Sequence, residues 1–286
     1  MTISEKMKIL IPLDGSPIGE SILLSIFPLL RAGQVESTLF HAAETADTIE
    51  TLEARLEAQR RMLESKGVET RIRIISGKPA EEIVRQAEIG GFDLIAMATH
   101  GRTGLERVVM GSVAEEVVRS SLVPTLLCKA GTRLDPWDRI VVALDGTPGS
   151  EEVLGDVVRL ARSLPATVHL LQVGLGLLLS DGYRGVPFHY PAKQPAYLET
   201  VAARLLAQGV TAVPERRQGM AAVEIGSLAR ELDAGLICMT TEGRPEELPG
   251  MGRSVAAEVI RSAPCPVYVR RMSGVAGTVG GPKKLG

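Results

Sequence analysis

The sequence predicts an α/β protein built from two tandem doubly wound domains, each a Rossmann-like open parallel sheet of five strands with helices on both faces. Its 286 residues fit two domains of ordinary size. The chain also repeats itself, since MKILIPLDGSPIGE at 7–20 is echoed by DRIVVALDGTPGSE at 138–151. Within the first copy, apolar runs suited to strands alternate with segments of helical period, which is the pattern of βαβ units and a parallel sheet.

The elements of the first copy follow from its apolar patterns in chain order. We expect strands near 7–13, 36–43, 68–75, 92–98 and 124–128, and helices near 17–32, 46–66, 79–89 and 112–121. The second helix carries apolar residues at helical intervals and charged residues on its other face: Ile49, Leu52, Leu56 and Met62. Right-handed crossovers between five parallel strands fit an open sheet of order 3-2-1-4-5. Because its connections reverse direction between strands 1 and 4, a ligand should bind beyond the carboxyl ends of those strands.

Two offsets between the copies predict the domain boundaries. Asp14 corresponds to Asp145, 131 positions later, whereas Ser112 corresponds to Ser254, 142 positions later. The 11 extra residues predict an insertion in the second copy, near 174–192. We therefore expect domains at 1–130 and 137–272, separated by a stretch that contains turn-forming residues. The glycine-rich tail over 273–286 is expected to be disordered.

Composition narrows the classes of partner. With 32 Lys+Arg against 34 Asp+Glu, the chain lacks the basic field that binds nucleic acid, and aromatic residues are only 3%. The first apolar run is too short for a signal peptide, and none approaches the roughly 20 residues that span a bilayer. Cys128, Cys238 and Cys265 lack metal-ligand spacing and are interpreted as small buried thiols in a reducing compartment. We expect a cytoplasmic protein that binds neither nucleic acid nor membrane.

The carboxyl end of strand 1 reads Pro12-Leu13-Asp14-Gly15-Ser16, and two interpretations of its carboxylate stay open. An acidic side chain at a strand end can accept hydrogen bonds from ribose hydroxyls or from a base amine. Alternatively, Asp-Gly-Ser-Pro is ordinary turn and helix-capping chemistry. Strand 1 alone does not decide between them.

The segment after strand 4, THGRTGLERVVMGS over 99–112, favours a phosphate site. Its glycines allow close backbone approach, and Gly111-Ser112 opens a helix whose first N–H groups have no helical partner. Arg102 and Arg107 would add positive charge. The alternative is that Ser112 caps the helix, with Glu115 three residues later completing a capping box. That alternative leaves the long glycine-containing loop unexplained.

These residues resemble the nucleotide motif of the universal stress protein family, Gly-x2-Gly-x9-Gly-Ser/Thr, with Ala98 at its first glycine. The resemblance covers both halves, about 270 residues, and implies cytoplasmic stress-response proteins of the doubly wound class, many of which bind ATP. It implies that Asp14 contacts the nucleoside and that the Ala42 backbone meets the adenine edge. In full, the nucleotide-binding residues would be Pro12, Asp14, Ala42, Met97, Ala98, Gly101, Gly111, Ser112 and Val113.

The second copy departs from this motif. Its loop reads MTTEGRPEELPGMGRSVAAEV, with Thr240 in place of Ala98 and Arg253 in place of Gly111. Glu246 and Glu247 would repel phosphates, and the loop prolines remove donors and stiffen the backbone. We therefore expect one adenine nucleotide per chain, ATP with or without Mg²⁺, in the first domain only.

Three classes of function remain open. The classical phosphate-loop motif GxxxxGK[ST] is absent, no lysine lies within 97–113, and His100 is the one imidazole near this segment. Because hydrolysis of ATP needs groups that position water and metal, we favour a non-catalytic or very slow ATP-binding regulator. The first alternative is a nucleotide-free interaction module, and the second is a weak Mg²⁺-dependent ATPase. The family resemblance also implies pairing through the fifth strands, which a tandem chain can satisfy between its own domains before any homodimer forms.

Overall fold

The computed structural model describes residues 6–32, 35–43, 49–99, 110–129, 136–174, 196–243 and 254–273. Among the helices in these ranges, none is long and apolar enough to cross a membrane. The elements of the first half are β1 (Met7–Pro12), α1 (Pro17–Glu20), α2 (Ile22–Ser25), α3 (Phe27–Leu30), β2 (Val35–Ala43), α4 (Ile49–Ser65), β3 (Glu69–Ser76), α5 (Pro79–Ile89), β4 (Leu94–Ala98), α6 (Ser112–Ser120) and β5 (Thr125–Cys128).

The second half repeats this order of elements. They are β6 (Arg139–Ala143), α7 (Pro148–Glu151), α8 (Leu154–Ser163), β7 (Thr167–Gly174), α9 (Tyr197–Leu206), β8 (Ala212–Gln218), α10 (Ala221–Glu231), β9 (Leu236–Thr241), α11 (Val255–Ser262) and β10 (Val267–Arg271). The predicted insertion and tail lie almost wholly outside the described residues, as does much of the degenerate loop.

The ten strands form one sheet of order β3-β2-β1-β4-β5-β10-β9-β6-β7-β8. Read from either outer edge, each half has the predicted order 3-2-1-4-5, and its strands are parallel. The α/β fold class is therefore confirmed. The halves meet where β5 and β10 pair antiparallel, with Val267 opposite Leu127. This ladder merges the two expected sheets into a continuous one.

The helix predicted over 17–32 is broken into the three short helices α1, α2 and α3. Pro28 lies at the start of α3, and its nitrogen has no hydrogen to donate to the carbonyl of Leu24. Ile26 accordingly leaves helical geometry, with φ −96° and ψ 4°. In the second half Arg159 stands at the matching position, and α8 runs unbroken through it.

Successive strand residues pack on opposite faces of the sheet, and each face has its own apolar core. Ile9 and Ile11 belong to one core and Leu10 to the other. The thiols divide in the same way, because Cys128 lies in the first core and Cys265 packs against the second. The interpretation of three buried thiols is wrong for Cys265, which is partly exposed, whereas Cys128 and Cys238 are fully buried.

Buried protonated groups predict that the fold loses stability in alkali. Burial raises the pKa of the Cys128 and Cys238 thiols and of the Tyr268 hydroxyl. Such groups favour folding below their unfolded pKa, about 8.5 for thiols and 10 for tyrosine, and the benefit is lost as pH rises above it. We expect a urea midpoint that is level to about pH 8.5 and falls beyond it. Tyr268→Phe should flatten the fall above about pH 10. A parallel fall in both proteins would contradict this origin.

Candidate functional site

The candidate site lies beyond the carboxyl ends of β1 and β4, where the strand order reverses. After Pro12 ends β1, the N–H of Leu13 still donates to the carbonyl of Phe40 at 2.8 Å. The chain then turns at Asp14 into α1. This is the place at which a doubly wound sheet leaves a crevice between neighbouring loops.

Asp14 shapes the turn that leads into α1. Its Oδ1 accepts hydrogen bonds from the N–H of Ser16 at 2.9 Å and from its hydroxyl at 2.7 Å. Ser16 in turn caps α1 by accepting the N–H of Gly19 at 2.9 Å. A side chain on Gly19 would place Cβ 2.3 Å from Asp14 Oδ1, so the turn needs glycine there. These contacts agree with the interpretation of Asp14 as a turn residue. They are also compatible with a ligand contact, because a carboxylate can accept about four hydrogen bonds.

The second half copies this turn. Asp145 Oδ1 accepts the N–H and the hydroxyl of Thr147, each at 2.7 Å. The turn chemistry at Asp14 is therefore not what distinguishes the two halves.

Strand β2 contributes a backbone edge to the crevice. The carbonyl of Ala43 accepts the N–H of Gly77 at 3.1 Å, on the β3 side. Because successive residues of a strand in a parallel sheet direct their backbone groups to alternate neighbours, the N–H and C=O of Ala42 face the β1 side. There β1 has already ended at Pro12.

The end of β4 is tied to the start of α6 through Thr99. Met97 is buried, Ala98 is half-buried, and Thr99 is buried beyond them. The N–H of Thr99 donates to Cys128 at 2.9 Å, and its carbonyl accepts the N–H of Gly111 at 2.7 Å. This second bond brings the start of α6 to the crevice, although many residues separate Thr99 from Gly111 along the chain.

The α6 N-terminus presents unpaired backbone donors. Gly111 is the N-cap, and Ser112 is the first helical residue, with an exposed side chain. The capping-box interpretation of Ser112 is wrong, because the N-cap residue of this helix is Gly111. The first helical bond runs from Glu115 N–H to Gly111 C=O at 3.0 Å, and the N–H groups of Ser112, Val113 and Ala114 have no partner among the described residues. Three such donors at the positive end of a helix suit an anion.

Other predicted residues lie outside the described ranges. They are Gly101, His100, Arg102 and Arg107 of the first loop, and Glu246, Glu247 and Arg253 of the second. Eight of the nine predicted nucleotide-binding residues lie at or next to the carboxyl ends of β1, β2 and β4 or at the start of α6: Pro12, Asp14, Ala42, Met97, Ala98, Gly111, Ser112 and Val113.

The second crevice differs within the described residues. β9 and β10 continue to Thr241 and Arg271, which pair with each other. The carbonyl of Thr241, which matches Thr99, accepts the N–H of Met272 at 2.9 Å. α11 starts at Val255 with Ser254 as its N-cap, one position later than α6 starts at Ser112.

Fold and crevice together define a tandem protein of the doubly wound α/β class, with a helix N-terminus at the switch point of each half. The chain belongs to the universal stress protein family, whose model matches residues 6–129 and 136–271.

Individual relatives agree with that assignment. A universal stress protein of Methanocaldococcus jannaschii is 45% identical over 74 residues, which are 26% of this chain and 44% of that protein. One of Bacillus subtilis is 28% identical over 145 residues, covering 43% of this chain and 98% of that protein. The chain spans less than half the length of the M. jannaschii relative that it matches.

The likeness to a solved structure extends over nearly the whole chain. The crystal structure of a universal stress protein from Archaeoglobus fulgidus has a TM-score of 0.74 at 20% identity, covering 94% of this chain and 98% of that one. At this identity the likeness concerns the fold.

Proposed function

We propose that the first domain binds one adenine nucleotide, ATP with or without Mg²⁺, and acts as a non-catalytic or very slow regulator in the stress response of the cytoplasm. The observation that carries this proposal is the α6 N-terminus. Its three N–H groups without described partners are held at the crevice by the bond from Gly111 to Thr99. A helix N-terminus stabilises phosphate through its dipole and through these donors together.

The roles of the site residues follow from where they lie. The phosphates would lie against Gly111, Ser112 and Val113, with Gly101 completing that loop. The sugar would lie against Met97 and Ala98 at the end of β4. Pro12 and Asp14 would contact the nucleoside from the end of β1, and the backbone of Ala42 would meet the base.

Pairing of the domains within the chain is part of the proposal. β5 and β10 bond to each other along the middle of the sheet. Across this seam Lys129 Nζ donates to the carbonyl of Ala263, and Arg271 Nη1 donates to that of Ser120, each at 3.0 Å. Both cations reach the carboxyl end of a helix in the other half, where positive charge is stabilising. A homodimer would therefore use a surface other than the fifth strands.

Calorimetric titration of the full chain tests the proposal. We expect one ATP site per chain, because Thr99 holds Gly111 at the first crevice. The second loop instead has Arg253 in place of Gly111 and carries Glu246 and Glu247, which would repel phosphates. Gly111→Leu should abolish that site by filling the space before the helix. The backbone of Gly111 has φ −63° and ψ 146°, which any residue can adopt, so the fold should tolerate the change.

The matched control is Ser254→Leu at the α11 N-cap, which should leave ATP binding intact. Two equal sites would contradict restriction to the first domain. Unaltered ATP binding by Gly111→Leu would remove the α6 N-terminus from the site. Absence of ATP binding by the unmodified chain would instead favour the interaction module.

A further inference from the structure

A histidine beside the crevice forms a contact that the second half lacks. His41 lies near the end of β2 and is half-buried. Its Nδ1 lies 2.6 Å from the carbonyl oxygen of Leu13, the residue that precedes Asp14. Since a carbonyl oxygen only accepts, Nδ1 carries the hydrogen and the imidazole is the donor.

This bond joins the two segments that flank the crevice. Leu13 leads into the Asp14 turn, and His41 precedes Ala42, whose backbone groups face the same side. Among the described residues, the last backbone bond between the β1 and β2 segments is the one from Leu13 N–H to the carbonyl of Phe40. The imidazole therefore adds a cross-link one step beyond the last backbone bond.

The second half provides a natural comparison. Its ladder ends in the same way, with the N–H of Leu144 donating to Leu171 at 2.9 Å. Gln172 stands where His41 stands, and within the described part of the chain its side chain makes no hydrogen bond to Leu144. The strand ladder thus ends in the same way without an imidazole, so the bond from His41 to Leu13 is an addition to the ladder of the first half.

We propose that His41 is a positioning residue for nucleoside recognition, which fixes the distance between the Asp14 turn and the Ala42 backbone. The inference rests on the proposed function, since it assigns ribose and base to these two segments. It adds that the nucleoside end of the site depends on an imidazole, whereas the phosphate end at α6 does not.

The two ends of the site can be probed separately. ATP needs both, whereas inorganic tripolyphosphate needs only the α6 N-terminus. His41→Phe keeps a ring but removes the donor, and should weaken ATP binding about tenfold, the effect of losing one well-placed hydrogen bond. Its affinity for tripolyphosphate should be unchanged. His41→Asn should restore ATP affinity, because its Nδ2 is bonded to Cγ as the histidine Nδ1 is.

The outcomes distinguish positioning from general loosening of the fold. Equal losses for ATP and tripolyphosphate in His41→Phe, or no rescue by His41→Asn, would overturn the inference. Gln172→His is the matched control and should leave ATP affinity and stoichiometry unchanged. If the unmodified chain binds tripolyphosphate and ATP equally tightly, the inference fails while the phosphate site stands. If it binds neither, the proposed function itself fails.

Discussion

Ser112→Asp should weaken ATP binding at least about tenfold while slightly stabilising the protein. Ser112 is the first residue of α6, and its side chain is exposed. A carboxylate there repels phosphate charges at close range, at about 1–4 kcal/mol per charge pair depending on the local dielectric. The same carboxylate stabilises the helix dipole by about 0.3–1 kcal/mol. Titration calorimetry and urea unfolding would measure the two effects.

Ser112→Asp should lower ATP affinity but raise stability, whereas a substitution that merely damages the fold lowers both. Val255→Asp is the matched control, since Val255 is the first residue of α11 and is 42% exposed. It should raise stability by a similar amount and leave ATP affinity unchanged. Full ATP affinity in Ser112→Asp would move the phosphates away from α6.

The central strands could be predicted because they are local apolar runs. A buried parallel strand must be apolar on both faces, so β1 and β4 stand out from the helices around them. The break in the first helix was also readable, because Pro28 cannot donate the bond that a continuous helix needs. The helix predicted over 17–32 nevertheless runs through this proline.

The candidate site was predicted less completely, because its key contacts are long-range. A Ser followed by Glu at capping-box spacing is a local signal, yet the N-cap is Gly111, which Thr99 holds from the end of β4. No spacing rule links Thr99 to Gly111. Likewise, His41 has no sequence signal for a contact with Leu13, since only the pairing of β1 with β2 brings them together.

The same limitation applies to an ion network that joins the halves. Asp156 in α8 accepts from Arg159 at 3.1 Å and from Arg270 at 2.7 Å. Arg159 also donates to Asp93 of the first half at 2.8 Å, and Asp93 accepts the backbone N–H of Lys8 at 2.9 Å. The repeat could not reveal these contacts, because Ser25 and Pro28 occupy the positions that match Asp156 and Arg159.

Asp156→Ala should therefore lower the free energy of unfolding by about 2–3 kcal/mol and the thermal midpoint by about 5 °C or more. The Asp156 side chain is 10% exposed, and its removal leaves two guanidinium groups facing each other without their shared anion. Arg159 and Arg270 are 43% and 30% exposed, so water screens part of the repulsion, and the expected loss lies below that of a fully buried pair. Calorimetric melting would measure the shift.

Two further variants identify the cause. Asp156→Ala combined with Arg270→Ala should recover part of the lost stability, because the guanidinium group that loses its carboxylate is gone, whereas Arg159 keeps its bond to Asp93. Glu81→Ala breaks the pair with Lys78, whose side chains are 68% and 77% exposed, and should leave the midpoint unchanged. An equal midpoint for Asp156→Ala and the unmodified chain would mean that the network adds no stability. In that case the fifth-strand ladder and the cores would hold the halves together without it.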